Sequence, residues 1–273
     1  MKTQLEKGHI FRELHKQDHA FIIPNPWDVG TARLLASLGF EALATTSAGY
    51  AFSAGRKDGT LDRGRMIAHI GEIAAATDLP VSADLENGYG TSPTAVEETF
   101  RLAASSGVVG GSIEDATGNT SDPIFELERA TERVQAASAA ISTLPFTFTL
   151  TARAENYLHS RPNLKDTITR LQAYQEAGAE VLYAPGLARA EDIAEVVRSV
   201  DRPVNVVMGL QGVQLSLAEL SLMGVRRVSV GGALARTALG AFLRAGREMR
   251  EHGTFQFAKE AVSFKEISAM FES

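Results

Sequence analysis

The chain has 273 residues, 44% of them hydrophobic and 22% charged, with a net charge of −6; this composition supports a folded core and lies far from that of disordered chains. Lys and Arg are dispersed without a basic, aromatic-interleaved patch, and no apolar run approaches the roughly 20 residues that span a bilayer, so neither nucleic acid nor membrane is expected as a partner. Cysteine is absent, which excludes disulfides, thiolate zinc sites, iron–sulfur clusters and a cysteine nucleophile.

The charged first twenty residues lack the pattern of a secretory leader, and a cytoplasmic protein is expected. Residues 1–17 read as a helix. Eight short β-branched or apolar runs then follow: "AFIIPN" (20–25), "EALATTS" (41–47), "LPVSADLE" (79–86), "VVGGSIED" (108–115), "FTFTLTARAE" (146–155), "AEVLYAPG" (179–186), "RPVNVVMG" (202–209) and "RRVSVGGA" (226–233). Between them lie stretches such as "VGTARLLASLGF" and "LKDTITRLQAYQEAGA", with apolar residues at three- and four-residue spacing, as on one face of a helix. The recurring "LGFEAL", "SGVVGG", "AGAEVL" and "MGVRRV" join a helix end, a glycine turn and a new strand. The runs look continuous rather than alternating, as in parallel strands covered on both faces. Eight such units predict a (β/α)8 TIM barrel filling 1–273 as one domain. A doubly wound sheet is the competing fold, but no G-x-G-x-x-G follows the first strand. The extension 254–273 carries Phe255, Phe257, Phe264 and Phe271, expected to pack on the barrel or on a neighbouring subunit.

Barrel sites form at the C-terminal ends of the strands. There the chain places Asn25, Trp27 and Asp28, then Thr45, Thr46 and Ser47, then Asp84 and Glu86, Glu114 and Asp115, Arg153 and Glu155, and Asn205. Several acids without a histidine suit a hard cation, Mg²⁺ or Mn²⁺, which keeps waters and leaves room for substrate oxygens. Strand-end acids also cap helices or pair with Lys and Arg, and either acid pair alone is equally open to that reading. Residues 45–59, "TTSAGYAFSAGRKDG", make a long loop in which Ser47, with the amides of Ala48 and Gly49, forms a donor cradle for a carboxylate or enolate, or else flexible filler. His159 reads as a solvated loop residue.

These motifs, in order along nearly the whole chain, resemble the isocitrate lyase and phosphoenolpyruvate mutase superfamily of Mg²⁺-dependent barrels. The resemblance implies that Ser47 and Gly49 bind the substrate carboxylate, that Asp84 holds the metal directly, and that Glu86 and Glu114 hold it through water. It implies further that Asp58 joins the site, that Arg153 and Asn205 contact substrate oxygens, and that the chain forms a homotetramer exchanging its last barrel helix. Isocitrate and methylisocitrate lyases carry a cysteine-bearing basic loop after the fourth strand. Here "ATGNTSDPIFELE" (116–128) has no Cys, His, Lys or Arg, so that chemistry is not expected.

What the sequence keeps suits enolate formation from a small α-keto or α-hydroxy carboxylate, either by an oxaloacetate-decarboxylase-like reaction or by carbon–carbon cleavage of a substituted malate. The expected catalytic residues are Asp58, Arg153 and Tyr50, with Glu155 a further candidate base. Carbon–phosphorus chemistry of the phosphonopyruvate hydrolase or phosphoenolpyruvate mutase type is an alternative in which Asn119 would supply an amide and Arg56 and Lys57 the nearby charge. A keto-acid-binding protein with little turnover is another. A Schiff-base aldolase is disfavoured because none of the eight strand runs contains a lysine.

Overall fold

A computed structural model describes residues 2–210, 212 and 214–271. All eight expected strands are present, each shorter than its run: β1 Phe21–Ile23, β2 Leu43–Ala44, β3 Val81–Asp84, β4 Gly110–Glu114, β5 Thr149–Arg153, β6 Val181–Tyr183, β7 Val204–Val207 and β8 Arg227–Ser229. They form one parallel sheet in the order β1-β8-β7-β6-β5-β4-β3-β2. Between its two ends the Ala44 N–H donates to the Pro24 carbonyl at 3.1 Å, so the sheet is a nearly closed (β/α)8 barrel.

The helices start and stop where local chemistry directs. Helix α1 (Gln4–Leu14) opens on a Thr3/Glu6 capping box, and α2 (Val29–Ser37) on an Asp28/Thr31 box. The outer ring continues with α3 (Ser47–Ser53), α4 (Arg63–Ala76), α5 (Pro93–Ser105), α6 (Leu127–Ser142), α7 (Leu164–Glu176), α8 (Ala190–Arg198), α9 (Leu217–Leu222) and α10 (Ala233–His252). The glycines of the four repeated turns, Gly39, Gly107, Gly178 and Gly224, have φ of 86°, 99°, 104° and 89°, a left-handed region that only glycine enters without steric cost.

Helix α1 covers the strand starts. Its Phe11 and Leu14 are buried with Phe21, Ile23, Ala42 and Val109. The outward residues Val81, Ala83, Ile113, Leu150, Ala152, Leu182, Val204, Val206 and Val228 form the main core with the helices. Most inward residues are small or polar instead, Ser82, Gly110, Ser112, Thr149, Thr151, Asn205, Arg227 and Ser229, with Phe21, Ile23 and Val181 as apolar exceptions in the same register. The strands are buried on both faces, as expected, but β3, β4, β5, β7 and β8 alternate in polarity where the sequence reads as mostly continuous, because Ala, Gly, Ser and Thr hide a two-residue period. Arg227, 5% exposed, crosses the interior to reach Asn205 Oδ1 (2.9 Å) and Thr151 Oγ1 (3.0 Å).

After α10 the chain turns at Gly253 into a 3₁₀ turn (Gln256–Glu260) and α11 (Phe264–Ala269). Three of the four aromatic residues there are exposed rather than packed on the chain's own barrel, Phe255, Phe264 and Phe271 at 64%, 87% and 40%, while Phe257 is half-buried. Among the described residues no helix is long and apolar enough to cross a membrane.

Candidate active site

A cavity of about 680 Å³ opens at the C-terminal ends of the strands, lined by Ser47, Ala48, Asp58, Asp84, Glu86, Glu114, Arg153, Tyr183 and Asn205, among others. Arg153 lies in its wall. Its Nη1 lies 3.3 Å from Asp84 Oδ1, its Nη2 3.2 Å from Glu114 Oε2 and its Nε 2.9 Å from Glu155 Oε1, and the guanidinium carbon stands 5.2 Å from the Tyr183 ring centroid. Burial opposes the charge on Arg153, yet Glu155, Glu114 and Asp84 together hold it well above its ordinary value. The acids respond in the opposite direction. Burial, then Asp84 and Asp58, push Glu86 up to about 7, and burial with Glu155, Asp84 and Glu86 raises Glu114 against the pull of Arg153. Asp58, exposed at the cavity mouth, is raised by partial enclosure and by Asp84.

Asp84 is fixed from two sides: the Ser47 N–H donates to its Oδ2 at 3.1 Å, and its own N–H donates to Thr45 Oγ1 at 2.9 Å. Glu86 follows on a left-handed turn (φ 47°), and the Tyr89 hydroxyl donates to its Oε1 at 3.2 Å. The donor set is all carboxylate, crowded enough for burial and mutual repulsion to raise two of its members. Among the described residues no three His, Cys, Asp or Glu are grouped tightly enough to ligate an ion by themselves. Oxygen donors of this kind suit Mg²⁺ or Mn²⁺, which binds through one or two carboxylates and completes its shell with water and substrate.

The structure does not bring every expected residue to the cavity. Tyr50 lies outside it, its ring stacked on His69 with centroids 3.6 Å apart and packed beside Ala51, Leu61 and Met66. The segment 47–53 is helix α3 rather than a cradle loop, and the Gly49 N–H is taken by the Thr46 cap at 3.2 Å. Gly49 serves close packing: a Cβ there would stand 2.6 Å from Thr46 Cγ2 and 2.9 Å from Trp27 Cβ. Asn205 reaches the lining but is 2% exposed, its amide donating to Ser229 and accepting from Arg227. Asn119 turns back onto Ser121 in the self-tied loop 116–124, and Arg56 and Lys57 do not line the cavity.

Asp115 also leaves the site. Strand alternation sends Glu114 inward and Asp115 outward, where it accepts from Arg170 Nη1 (3.0 Å), the Tyr174 hydroxyl (2.7 Å) and the Glu155 N–H (2.8 Å). It thereby ties the end of β4 to α7 and fixes the backbone of Glu155.

Among the lining residues without a role in the sequence reading, two carry basic groups at the loops and helix starts of the rim: His159, on the loop after β5, and Arg236, in the first turn of α10. The placement of His159 six residues beyond Arg153 was the available signal. Arg236 gave none, since its approach depends on how α10 packs on α3.

Residues 11–250 match the sequence profile described as phosphoenolpyruvate phosphomutase. The fold superimposes with a TM-score of 0.97 on a crystal structure from Burkholderia cenocepacia J2315, provisionally called a lyase/mutase, at 61% identity over 99% of this chain and 98% of that one. Among relatives of named activity, 2,3-dimethylmalate lyase of Eubacterium barkeri is 27% identical over 78% of this chain and 75% of its own length. Oxaloacetate decarboxylase of Pseudomonas putida (strain GB-1) is 26% identical over 72% and 68%.

Proposed function

The chain belongs to the phosphoenolpyruvate phosphomutase family, and from that premise we propose that it is a lyase dependent on Mg²⁺ or Mn²⁺. It breaks a carbon–carbon bond in a small α-keto or α-hydroxy carboxylate to leave an enolate, oxaloacetate decarboxylation being the first reaction and cleavage of a substituted malate the second. The observation that carries this reading is the Arg153 fork, fixed by Glu155 and held between Asp84 and Glu114 in the wall of the cavity.

Asp84 would hold the ion directly, with Glu86 and Glu114 acting through water, and the ion would supply Lewis-acid polarisation of substrate oxygens. Arg153 provides fixed positive charge where the keto acid's oxygens, and then the enolate oxygen, come to lie. Ser47 and Ala48 at the start of α3 border the same volume. In decarboxylation the electron pair of the breaking C–C bond passes to the enolate, CO₂ leaves, and one proton returns to carbon. Asp58 and His159 both face the cavity and can deliver it. Asp58 stands at the cavity mouth, where partial desolvation and Asp84 raise its pKa from the ordinary value.

Carbon–phosphorus cleavage is the second reading, on one observation: Arg236 brings a cation to the cavity that the fourth-strand loop lacks. The exposed apolar residues of α10, Leu239, Phe242, Leu243 and Met249, with Phe255 and Phe264 beyond it, are in keeping with a homotetramer that exchanges this helix.

The test is incubation with Mg²⁺ and a panel of oxaloacetate, substituted malates, methylisocitrate and phosphonopyruvate, with keto-acid release as the readout. Release from oxaloacetate or a malate supports the lyase. Release from phosphonopyruvate alone moves the assignment to the second reading, and binding without release from any of them makes the protein a keto-acid binder.

A further inference from the structure

Arg133 is 1% exposed on α6, well behind the cavity wall. A guanidinium taken out of water needs compensation, yet among the described residues no carboxylate forms an ion pair with it and its Nε has no hydrogen-bond partner. Burial accordingly lowers its pKa to about 10. What it does contact is the loop that carries Glu86. Its Nη1 donates to the Gly90 carbonyl at 2.7 Å, its Nη2 donates to the Asn87 carbonyl, and its guanidinium carbon lies 4.4 Å from the centroid of the Phe125 ring.

That loop is strained. Glu86 and Tyr89 have φ of 47° and 55°, values that side-chain-bearing residues hold only where the surroundings over-determine them. Neighbouring side chains do over-determine them: Thr99 Oγ1 donates to the Gly88 carbonyl at 2.8 Å and Arg129 Nη2 to the Thr91 carbonyl at 3.2 Å. Arg133 is the central clamp, because its planar fork spans two carbonyls three residues apart, which a lysine ammonium cannot do in the same way.

We propose that Arg133 is a positioning residue for the metal-facing carboxylate: by clamping Asn87 and Gly90 it holds Glu86 in its left-handed turn with the side chain aimed into the cavity. Through Phe125 the same guanidinium also joins this loop to the segment that follows β4. The proposal rests on the metal-dependent reading of the site. It explains a buried charge without a counter-ion: aliphatic packing would leave the two loop carbonyls unpaired and the turn free to relax.

The experiment is Mn²⁺ titration of the full chain, followed by electron paramagnetic resonance, for wild type, Arg133→Lys, Glu86→Gln and the double variant, with circular dichroism as the check on folding. Loss of a residue that orients a ligand typically weakens metal binding about 10- to 100-fold. Arg133→Lys is expected to weaken Mn²⁺ binding about ten-fold in the wild-type background and to add nothing once Glu86 is already Gln. Unchanged affinity in folded Arg133→Lys overturns the positioning role, as does a full additional loss in the double variant. Unchanged affinity in Glu86→Gln overturns the metal role of Glu86 and the proposal with it, which separates the two failures. If Arg133→Lys does not fold, Thr99→Val releases the same loop at Gly88 and should weaken Mn²⁺ binding in the same Glu86-dependent way; unchanged affinity there overturns the proposal.

Discussion

Glu114 and Asp115 are adjacent acids that point to opposite sides of β4, and neutralising each should give opposite results. Asp115, 3% exposed, accepts three hydrogen bonds, from Arg170, Tyr174 and the Glu155 N–H. Asp115→Asn turns an amide N–H toward two of those donors, so the loss comes less from the missing attraction than from a buried guanidinium and hydroxyl left without their acceptor. Removing one member of a buried ion pair costs about 3–5 kcal/mol. Arg170 keeps Asp166 at 2.8 Å and the Phe125 carbonyl at 2.8 Å, which places the expected loss at the lower end, about 3 kcal/mol. Burial raises Asp115 against the pull of its partners, so desolvation already offsets part of the intact pair's attraction. A loss of this size is a large fraction of the roughly 5–15 kcal/mol that stabilises a typical domain. Glu114→Gln should cost less than Asp115→Asn, because Arg153 keeps Asp84 and Glu155 as partners and burial already opposes the Glu114 charge, while weakening divalent-cation binding. Urea unfolding followed by circular dichroism, read as midpoint times m value, measures both. A loss under about 1 kcal/mol for Asp115→Asn, or a larger loss for Glu114→Gln than for Asp115→Asn, would contradict these roles.

Gly49→Ala places a methyl 2.6 Å from Thr46 Cγ2 and 2.9 Å from Trp27 Cβ; α3 must shift, at a cost of about 1–3 kcal/mol. A lowered melting temperature and weaker Mn²⁺ binding, through the Ser47–Asp84 link, are expected, and an unchanged melting temperature contradicts the packing role. Glu86, with its pKa raised to about 7 in the folded protein, retains a proton that the unfolded chain has already released. Its contribution to stability is therefore fully present below the unfolded value near 4.5 and is lost as pH rises through about 7, and an entering cation must displace that proton. In EDTA the stability advantage of wild type over Glu86→Gln should shrink between about pH 5 and 7.5, and the melting shift produced by Mg²⁺ should grow over the same interval. Flat profiles contradict this.

The barrel was legible because its punctuation is local: four helix-end glycines adopt positive φ where the repeated turns place them, and every strand falls within its apolar run. Asp84, Glu86, Glu114 and Arg153 converge because strand ends in a parallel barrel share one rim. Other residues depend on facts the linear pattern does not carry. Asp115 follows a two-residue alternation hidden by small residues, and Tyr50 went elsewhere because 47–53 is helical and turns its ring onto His69. Asn205 is engaged by Arg227, whose inward direction from β8 is masked by the polar residues around it. Arg133 resembles any helical arginine in sequence; only the loop carbonyls folded over it reveal its place.

The central claim is tested most directly by the rate of pyruvate formation from oxaloacetate, measured for wild type with Mg²⁺, wild type with EDTA, and Asp84→Ala with Mg²⁺. The account predicts turnover in the first case only, restored to the EDTA-treated enzyme by excess Mg²⁺ and absent from folded Asp84→Ala. Full activity in Asp84→Ala, or turnover indifferent to EDTA, would contradict it.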